Sequence, residues 1–313
     1  MQFWALLIDS IRESLDRKIF WVMLTITLLV VLAMASISFE NDEVSILFGL
    51  WETEAGHFNP LSPVGRSALL GGVIYYVMSF FLGWVGLILT LIATAGFFPT
   101  MLERGVIDVL LSKPISRPRL FLYKYLCSMV FVLIQSTIFV VLTFLVMGWR
   151  WGVWAPGYLA SIPLMVLLFS YVYCVSVLVA VKTRSVVAAV LISIGAWVMY
   201  ACPKVAVDTF NHYPSLKEHR QLYDAVRVLA WIPPKTGDVR YLAARWAEAG
   251  TSLDVLPNEV MGRSASELKQ IERANELEQL ELLKDPFLSI GSSLLFEGVI
   301  LLWAMAGFMR RDY

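Results

Sequence analysis

Residues 97–125 read FFPTMLERGVIDVLLSKPISRPRLFLYKY, a polar, proline-punctuated segment between two long apolar runs. From Thr100 to Leu111, the apolar residues recur every three or four positions, which predicts an amphipathic helix. Pro99 suits the first turn of that helix, where no backbone N–H is needed, and Pro114 lies just beyond its end. The segment therefore predicts a short helix that runs along the membrane surface between two membrane spans.

The composition is that of an integral membrane protein. Hydrophobic residues make up 58 % of the chain and charged residues 16 %, against about 25 % charged in an ordinary soluble domain. The formal net charge is zero, so the overall balance does not suggest a surface for nucleic acid. The sequence has no GxxxxGK[ST] phosphate loop, no HExxH and no GxSxG. If the protein carries out a process that requires energy, another subunit must supply that energy.

Six apolar runs are long enough to cross a bilayer, which takes about 20 residues in a helix. They are predicted at Ile19–Phe39, Ser67–Phe98, Leu126–Met147, Tyr158–Val181, Val186–Pro203 and Phe287–Met309. Residues 1–18 are amphipathic and predict an interfacial helix that leads into the first span. Residues 40–66 are acidic and contain two prolines, so they are predicted to form a loop. The expected fold is an all-α integral membrane protein with six transmembrane helices.

The orientation follows from the Lys and Arg residues of the short loops, which are enriched on the cytoplasmic side. One side carries twelve: Arg12, Arg17, Lys18, Arg104, Lys113, Arg117, Arg119, Lys124, Lys182, Arg184, Arg310 and Arg311. The other side carries two, Arg66 and Arg150. This asymmetry predicts an inner-membrane protein with both termini and the segment at 97–125 in the cytoplasm.

The longest polar segment, residues 204–286, then faces outward. Helical patterns at 216–232, at 238–248 and, after a capping box at Ser264 and Glu267, as far as Lys284 are separated by prolines and predict a small helical subdomain. Its acidic stretch at 267–281 fits either a solvated helix face or a helix that binds an envelope partner. The predicted units are an interfacial helix (1–18), spans one to five (19–203), the outer segment (204–286), and span six with the cytoplasmic tail (287–313).

Two polar residues fall inside predicted spans, where polar groups are costly and therefore informative. Glu297 lies near the middle of the sixth span, and Gln135 in the third span is its main polar companion in the sequence. Glu297 could line a substrate cavity, couple protons or lock helices together. It could also be a structural acid, protonated or paired with a neighbouring hydroxyl.

The polar segment resembles the cytoplasmic segment of type-2 ABC exporter permeases. The shared order is an acid, a glycine, a leucine pair, then P-x-S-R and a lysine entering the next span, here Glu103, Gly105, Leu110, Leu111, Pro114, Ser116, Arg117 and Lys124. The basic N-terminal stretch IRESLDRKIFWV, the six spans with both ends inside and the FMRRDY tail extend the resemblance to the whole architecture.

This resemblance implies a permease subunit that forms a homodimer in the bilayer and is driven by two copies of a separate ABC ATPase. ATP and Mg would bind to that ATPase, and no cofactor is expected in this chain. The helix at 99–112 would be the coupling helix, which docks in a groove of the ATPase, and the turn Lys182–Ser185 would be a second contact. The expected coupling residues are Glu103, Arg104, Gly105, Asp108, Leu110, Ser112, Pro114, Arg117, Lys182 and Arg184.

Two other classes of function stay open. An intramembrane enzyme would need polar residues converging from several spans, and the sequence offers little beyond Glu297. A membrane-anchored scaffold would use the outer segment to bind an envelope partner without ATP-driven transport. No residue selects a substrate among those that type-2 ABC exporters move.

Overall fold

The computed structural model describes residues 18–40, 43–46, 49–54, 84–103, 105–107, 116–212, 220–239, 242 and 286–310. The helices are α1 (Lys18–Ala35), α2 (Leu87–Ala95), α3 (Phe97–Met101), α4 (Arg117–Trp151), α5 (Ser161–Thr183), α6 (Val186–His212), α7 (Arg220–Leu229) and α8 (Pro286–Met309). A 3₁₀ helix, Pro156–Ala160, precedes α5, and the strands are β1 (Ser38–Glu40), β2 (Glu43–Ile46) and β3 (Trp51–Glu54).

Six helical segments within these residues are long and apolar enough to cross a membrane. They are Lys18–Ala35, Trp84–Met101, Arg117–Trp151, Pro156–Thr183, Val186–Val207 and Phe287–Met309. The prediction of an all-α membrane protein with six spans is therefore confirmed for the membrane-spanning part. The predicted N-terminal helix at 1–17 and the start of the second span, 67–83, lie outside the described residues.

Two helices extend beyond the membrane spans predicted from hydropathy. α4 begins at Arg117, nine residues before the predicted third span, because charged residues such as Arg119 and Lys124 are good helix formers although they ended the apolar run. α6 continues to His212 and contains Pro203, where the fifth span was predicted to end. In both cases hydropathy located the membrane-spanning part, but the helix extends beyond it.

Helix α5 lies at the centre of the bundle. It packs against α2, α3, α4, α6 and α8, and its residues Tyr171, Val172 and Cys174 have no exposed surface. Its sequence is apolar around the whole circumference, which is typical of a buried helix. In α6 and α8, by contrast, Leu191 and Leu295 are 64 % and 70 % exposed, which suits contact with lipid tails. The core therefore surrounds α5, while α6 and α8 border it.

A small antiparallel sheet, in the order β1-β2-β3, follows α1 in the region predicted as a loop. Ser38 pairs with Ser45, and Val44 pairs with Thr53. The indole N–H of Trp151 donates to the carbonyl of Ile37 over 3.0 Å, so the C-terminal end of α4 holds the beginning of the sheet. The face of the bundle at this end is called outer and the opposite face inner, after the predicted orientation. The prediction of a loop at 40–66 is thus wrong for the residues in these strands.

The outer segment is described at residues 220–239 and at 242. The helix predicted at 216–232 is observed as α7, and the chain then returns to the outer part of α8. There the N–H of Lys235 donates to Ser293 Oγ over 3.0 Å, and Ser289 Oγ donates to Asp238 over 2.8 Å. Of the helix predicted at 238–248, residues 238, 239 and 242 are described and are helical, whereas the helix predicted from 264 to 284 lies outside the described residues.

Gly148 allows Trp154 to pack closely against the outer end of α4. After α4, the left-handed Gly152 (φ 67°) reverses the chain and brings Trp154 back onto the helix. A Cβ atom on Gly148 would lie 2.5 Å from the Trp154 ring, far inside van der Waals contact. The indole also packs on Phe144 at a centroid distance of 5.3 Å, so it cannot move aside without losing that contact.

Gly148→Ala is therefore expected to lower the free energy of unfolding by about 1 kcal/mol, because displacing the Trp154 ring costs about 2 kcal/mol and alanine in a helix interior regains about 1 kcal/mol of it. Thermal unfolding of the purified chain in nanodiscs measures it. The matched control is the same substitution in a Trp154→Ala background, where the added methyl group has room and the loss should vanish. An equal loss in both backgrounds would show that the contact with Trp154 is not the cause.

Candidate functional site

The inner turn, residues 97–107 as far as they are described, begins with α3 buried against the bundle. Phe97, Phe98 and Met101 are each no more than 3 % exposed. The Phe98 ring lies 5.2 Å from that of Phe121 on α4, and α3 also packs against α5. This run of large apolar residues fixes the turn to two helices of the core.

After α3 the chain turns sharply. The N–H of Leu102 donates to the carbonyls of Phe98 and Pro99, and the carbonyl of Glu103 accepts the N–H of Ile107 over 3.2 Å. Gly105 lies between them with φ 89°, a conformation that L side chains rarely adopt. Leu102 and Ile107 are 2 % exposed, so both flanks of the turn are held in the bundle.

The outward surface of the inner turn consists of Glu103, Gly105 and Val106, all exposed. This differs from the predicted continuous helix from Thr100 to Leu111, because α3 ends at Met101 and the positive φ of Gly105 interrupts the helix. Val106 was predicted on the apolar face, yet it is 41 % exposed while Ile107 is buried. Five predicted coupling residues lie outside the described residues: Arg104, Asp108, Leu110, Ser112 and Pro114.

Arg117 lies at the first residue of α4, after an extended Ser116 and before a proline in the first turn. One guanidinium N–H group donates to the carbonyl of Met309, the last residue of α8, over 3.3 Å. The carbonyl groups at a helix C-terminus lack partners within the helix and carry partial negative charge, so a guanidinium is favourable there. Arg117 thus links the inner ends of α4 and α8.

The second predicted contact, Lys182–Ser185, is a tight turn between α5 and α6. Arg184 adopts the left-handed conformation with φ 55°, and Ser185 Oγ accepts the N–H of Ala188 over 3.3 Å as an N-cap. The ammonium group of Lys182 lies 3.8 Å from the centre of the Trp303 ring on α8. Both Lys182 and Arg184 are exposed. The structure therefore brings Arg117 and Lys182 to the same helix, α8, at its inner end.

A buried polar cluster joins α4, α5 and α8 inside the bundle. Glu297 is 7 % exposed, and its two carboxylate oxygens accept hydrogen bonds from different helices. The Tyr125 hydroxyl donates to Oε1 over 2.6 Å, and Ser170 Oγ donates to Oε2 over 2.9 Å. Of the alternatives predicted for Glu297, this geometry favours an inter-helix lock made with neighbouring hydroxyls.

The cluster continues through Tyr173 on α5. Its ring stacks on Tyr125 at 5.8 Å, and its hydroxyl lies 2.8 Å from Ser128 Oγ and donates to the carbonyl of Thr94 over 3.4 Å. Sequence reasoning missed the hydroxyl partners of Glu297. The sequence did carry a signal for them: Tyr125 and Ser128 are three residues apart, as are Ser170 and Tyr173, and this spacing places each pair of hydroxyl groups on one helix face.

The sequence suggested that Gln135 is a polar companion of Glu297, but the structure places the two residues apart. Gln135 Nε2 donates to Thr27 Oγ1 on α1 over 3.3 Å, whereas Glu297 is bonded to α4 and α5. Gln135 is also ten residues beyond Tyr125 on α4, which is about 15 Å along the helix. The two intramembrane polar residues therefore belong to separate places in the bundle.

The comparison with known families agrees with this architecture. The model of a family described as ABC-2 type transporter matches residues 1–201, which include the inner turn and the turn between α5 and α6. No curated protein matches the chain. The match covers well over half of the 313 residues. The chain therefore belongs to the ABC-2 type transporter family and is a multi-pass membrane permease subunit of an ABC transporter.

Proposed function

We propose that this chain is the transmembrane subunit of an ABC exporter, and that a homodimer of it is driven by two copies of a separate ABC ATPase. ATP and Mg bind to the ATPase subunits, and the permease converts their closure into helix movement. The observation that carries this proposal is the inner turn, which is exposed at Glu103 and Gly105 and buried on both flanks. A docking surface needs this combination of access and firm attachment.

The proposed path of coupling runs from the inner turn into the core. A force on Glu103 passes through the buried Leu102 and Ile107 and through the contact of Phe98 with Phe121 on α4. Because packed helices shift as units, a push on the turn tilts α4 rather than deforming it. The turn at 182–185 is the second contact and acts on α5 and α6 directly.

Charge at the inner ends favours an acidic surface on the ATPase. Lys182 and Arg184 are exposed beside the inner end of α8, where Arg117 also lies. Glu103 is the described acid of the inner turn, and a basic residue of the ATPase groove is its proposed partner. Complementary charge of this kind sets the docking register more than it adds affinity.

The alternative of an intramembrane enzyme gains nothing from the buried cluster. Both oxygens of Glu297 are occupied by Tyr125 and Ser170, and the carboxylate is surrounded by helices of its own subunit. The scaffold alternative depends on the outer segment, and the described contacts of that segment are with α6 and α8 of the same chain. The geometry therefore favours transport coupled to an ATPase.

Cysteine labelling tests the orientation on which the proposal depends. In a Cys202→Ser background, which removes the exposed native thiol, cysteine is placed at Leu50 in the turn before β3 or at Glu103 in the inner turn. An impermeant maleimide applied to intact cells is expected to label the Leu50 variant at least tenfold more than the Glu103 variant. Permeabilised cells should label both, and the reverse pattern in intact cells would place the inner turn outside.

Co-expression with the cognate ABC ATPase tests docking with the same two variants. In permeabilised membranes, the ATPase is expected to protect the cysteine at position 103 and to leave that at position 50 reactive. Equal labelling at position 103 with and without a co-purifying ATPase would contradict the docking assignment.

A further inference from the structure

A cavity of about 60 Å³ lies between α1, α2, α4 and α5, apart from the inner turn and from Glu297. Most of its wall is apolar and comes from Met23, Ile26, Val132, Phe139, Met165 and Phe169. Thr27, in the middle of the 18-residue helix α1, also lines it, which places the cavity near the bilayer midplane. The wall includes the half-buried Ile26, Leu89 and Met165, so the cavity opens on the surface of the bundle at that depth, where molecules dissolved in the hydrocarbon can enter it.

One polar group in the cavity wall lacks a partner. Gln135 is 6 % exposed; its Nε2 donates to Thr27, and its Oε1 has no hydrogen-bond partner. An unpaired buried acceptor costs about 1–3 kcal/mol, so the site favours a ligand that brings a donor. If the side-chain amide of Gln135 is flipped, Thr27 donates to its oxygen, and its NH₂ group is then the group without a partner. A hydroxyl group serves either arrangement, because it both donates and accepts.

The other hydroxyl groups of the wall do not satisfy this amide. Thr90 Oγ1 donates to the carbonyl of Gly86, and Ser136 Oγ donates to the carbonyl of Leu133, each within its own helix. A charged donor is excluded, because placing a charge at the bilayer midplane costs too much free energy. Met23, Val132 and Phe139 present surfaces that match an alkyl chain.

We propose that this cavity binds an aliphatic alcohol, an alkyl chain with one hydroxyl group, which enters from the hydrocarbon and hydrogen-bonds to the Gln135 amide. The cavity of about 60 Å³ holds the hydroxyl group, which hydrogen-bonds to the Gln135 amide, and the first carbons of the alkyl chain, which pack on the apolar wall. The rest of the alkyl chain extends into the hydrocarbon. The site is independent of the ATPase and lies within one subunit.

Photolabelling of the purified full-length chain in nanodiscs tests the site with two probes, a diazirine-bearing octanol and the matched diazirine-bearing octane. The octanol is expected to label wall residues such as Met23 and Phe139, with labelled peptides identified by mass spectrometry. In Gln135→Leu, labelling by the octanol should fall about fivefold, the effect of one neutral hydrogen bond, while labelling by the octane stays unchanged. Gln135→Met, with the same loss of the amide, serves if the leucine variant does not insert.

Thr137→Ala is the matched control, since Thr137 is not among the lining residues and its hydroxyl donates to the carbonyl of Leu133 within α4, so labelling by both probes should stay unchanged. Val132→Phe should exclude both probes by filling the space. Equal labelling by octanol and octane, or a Gln135→Leu variant that labels like the parent chain, would overturn the proposal. Labelling confined to the outward-facing residues of α6 and α8 would show that the probes do not enter the cavity and would overturn the proposal as well.

Discussion

Replacing Gly105 with valine is expected to reduce permease-stimulated ATP hydrolysis about tenfold or more, while the chain still inserts in the membrane. Gly105 has φ 89°, and a left-handed conformation costs an L residue about 1–2 kcal/mol, which is roughly a factor of ten in population. A Cβ at this position meets no atom within 4 Å, so the cost comes from the backbone alone. The turn would relax away from the shape that presents Glu103. Hydrolysis by the ATPase complex in nanodiscs measures the effect.

The choice of control variants separates strain from docking. Gly105→Asn should lose less activity, because asparagine tolerates the left-handed conformation. Gly152→Val introduces the same strain with the same open space at the other end of α4, where φ is 67°, and should leave ATP hydrolysis intact. Gly105→Trp adds bulk to the exposed turn and should also reduce co-purification of the ATPase. Full hydrolysis in Gly105→Val, or an equal loss in Gly152→Val, would show that the inner turn is not the docking surface.

Glu297→Ala is expected to lower the free energy of unfolding by about 3 kcal/mol. The substitution leaves the buried hydroxyls of Tyr125 and Ser170 without their acceptor and leaves a space between three helices. Hydrogen bonds between membrane helices contribute about 0.6 to 1.7 kcal/mol each, so Tyr125→Phe alone should cost about 1 kcal/mol. Thermal unfolding in nanodiscs gives both values.

A double-mutant cycle shows whether the lock is specific. Tyr125→Phe and Glu297→Leu should couple by about 0.5–1.5 kcal/mol, because each removes one side of the same contact. The matched control is Tyr158→Phe, which removes a buried hydroxyl bonded to Thr143 over 2.9 Å and should be additive with Glu297→Leu. Equal coupling for both tyrosines would mean that the cluster does not act as a lock between α4 and α8.

The membrane-spanning part of the fold could be predicted because the length and hydropathy of a span are local properties. The beginning of α4 could not be read from hydropathy, since the helix from Arg117 to Tyr125 is continuous through charged residues. The sheet was missed for a different reason. Its strands have three or four residues, too few for an alternating pattern, and they are defined by pairing with each other.

The residues of the candidate site are a prediction from the sequence, but their geometry could not be predicted from it. A glycine at 105 indicated close approach, but only the backbone shows that it also requires a positive φ. Glu297 was placed in the membrane interior from sequence, yet its partners, Tyr125 and Ser170, are 172 and 127 residues away along the chain. Such partners depend on which helices become neighbours, and no local pattern carries that information.

Because α4 runs unbroken for 35 residues, it measures about 52 Å and exceeds the hydrocarbon thickness of about 30 Å. At one end Arg117 binds the last carbonyl of α8, and at the other Arg150 and Trp151 bind the carbonyls of Ala35 and Ile37. A rod of this length that pivots by about 10° moves its far end by about 9 Å. One stiff element can thus carry a small inner displacement to the strands on the opposite face without a relay of side-chain rearrangements.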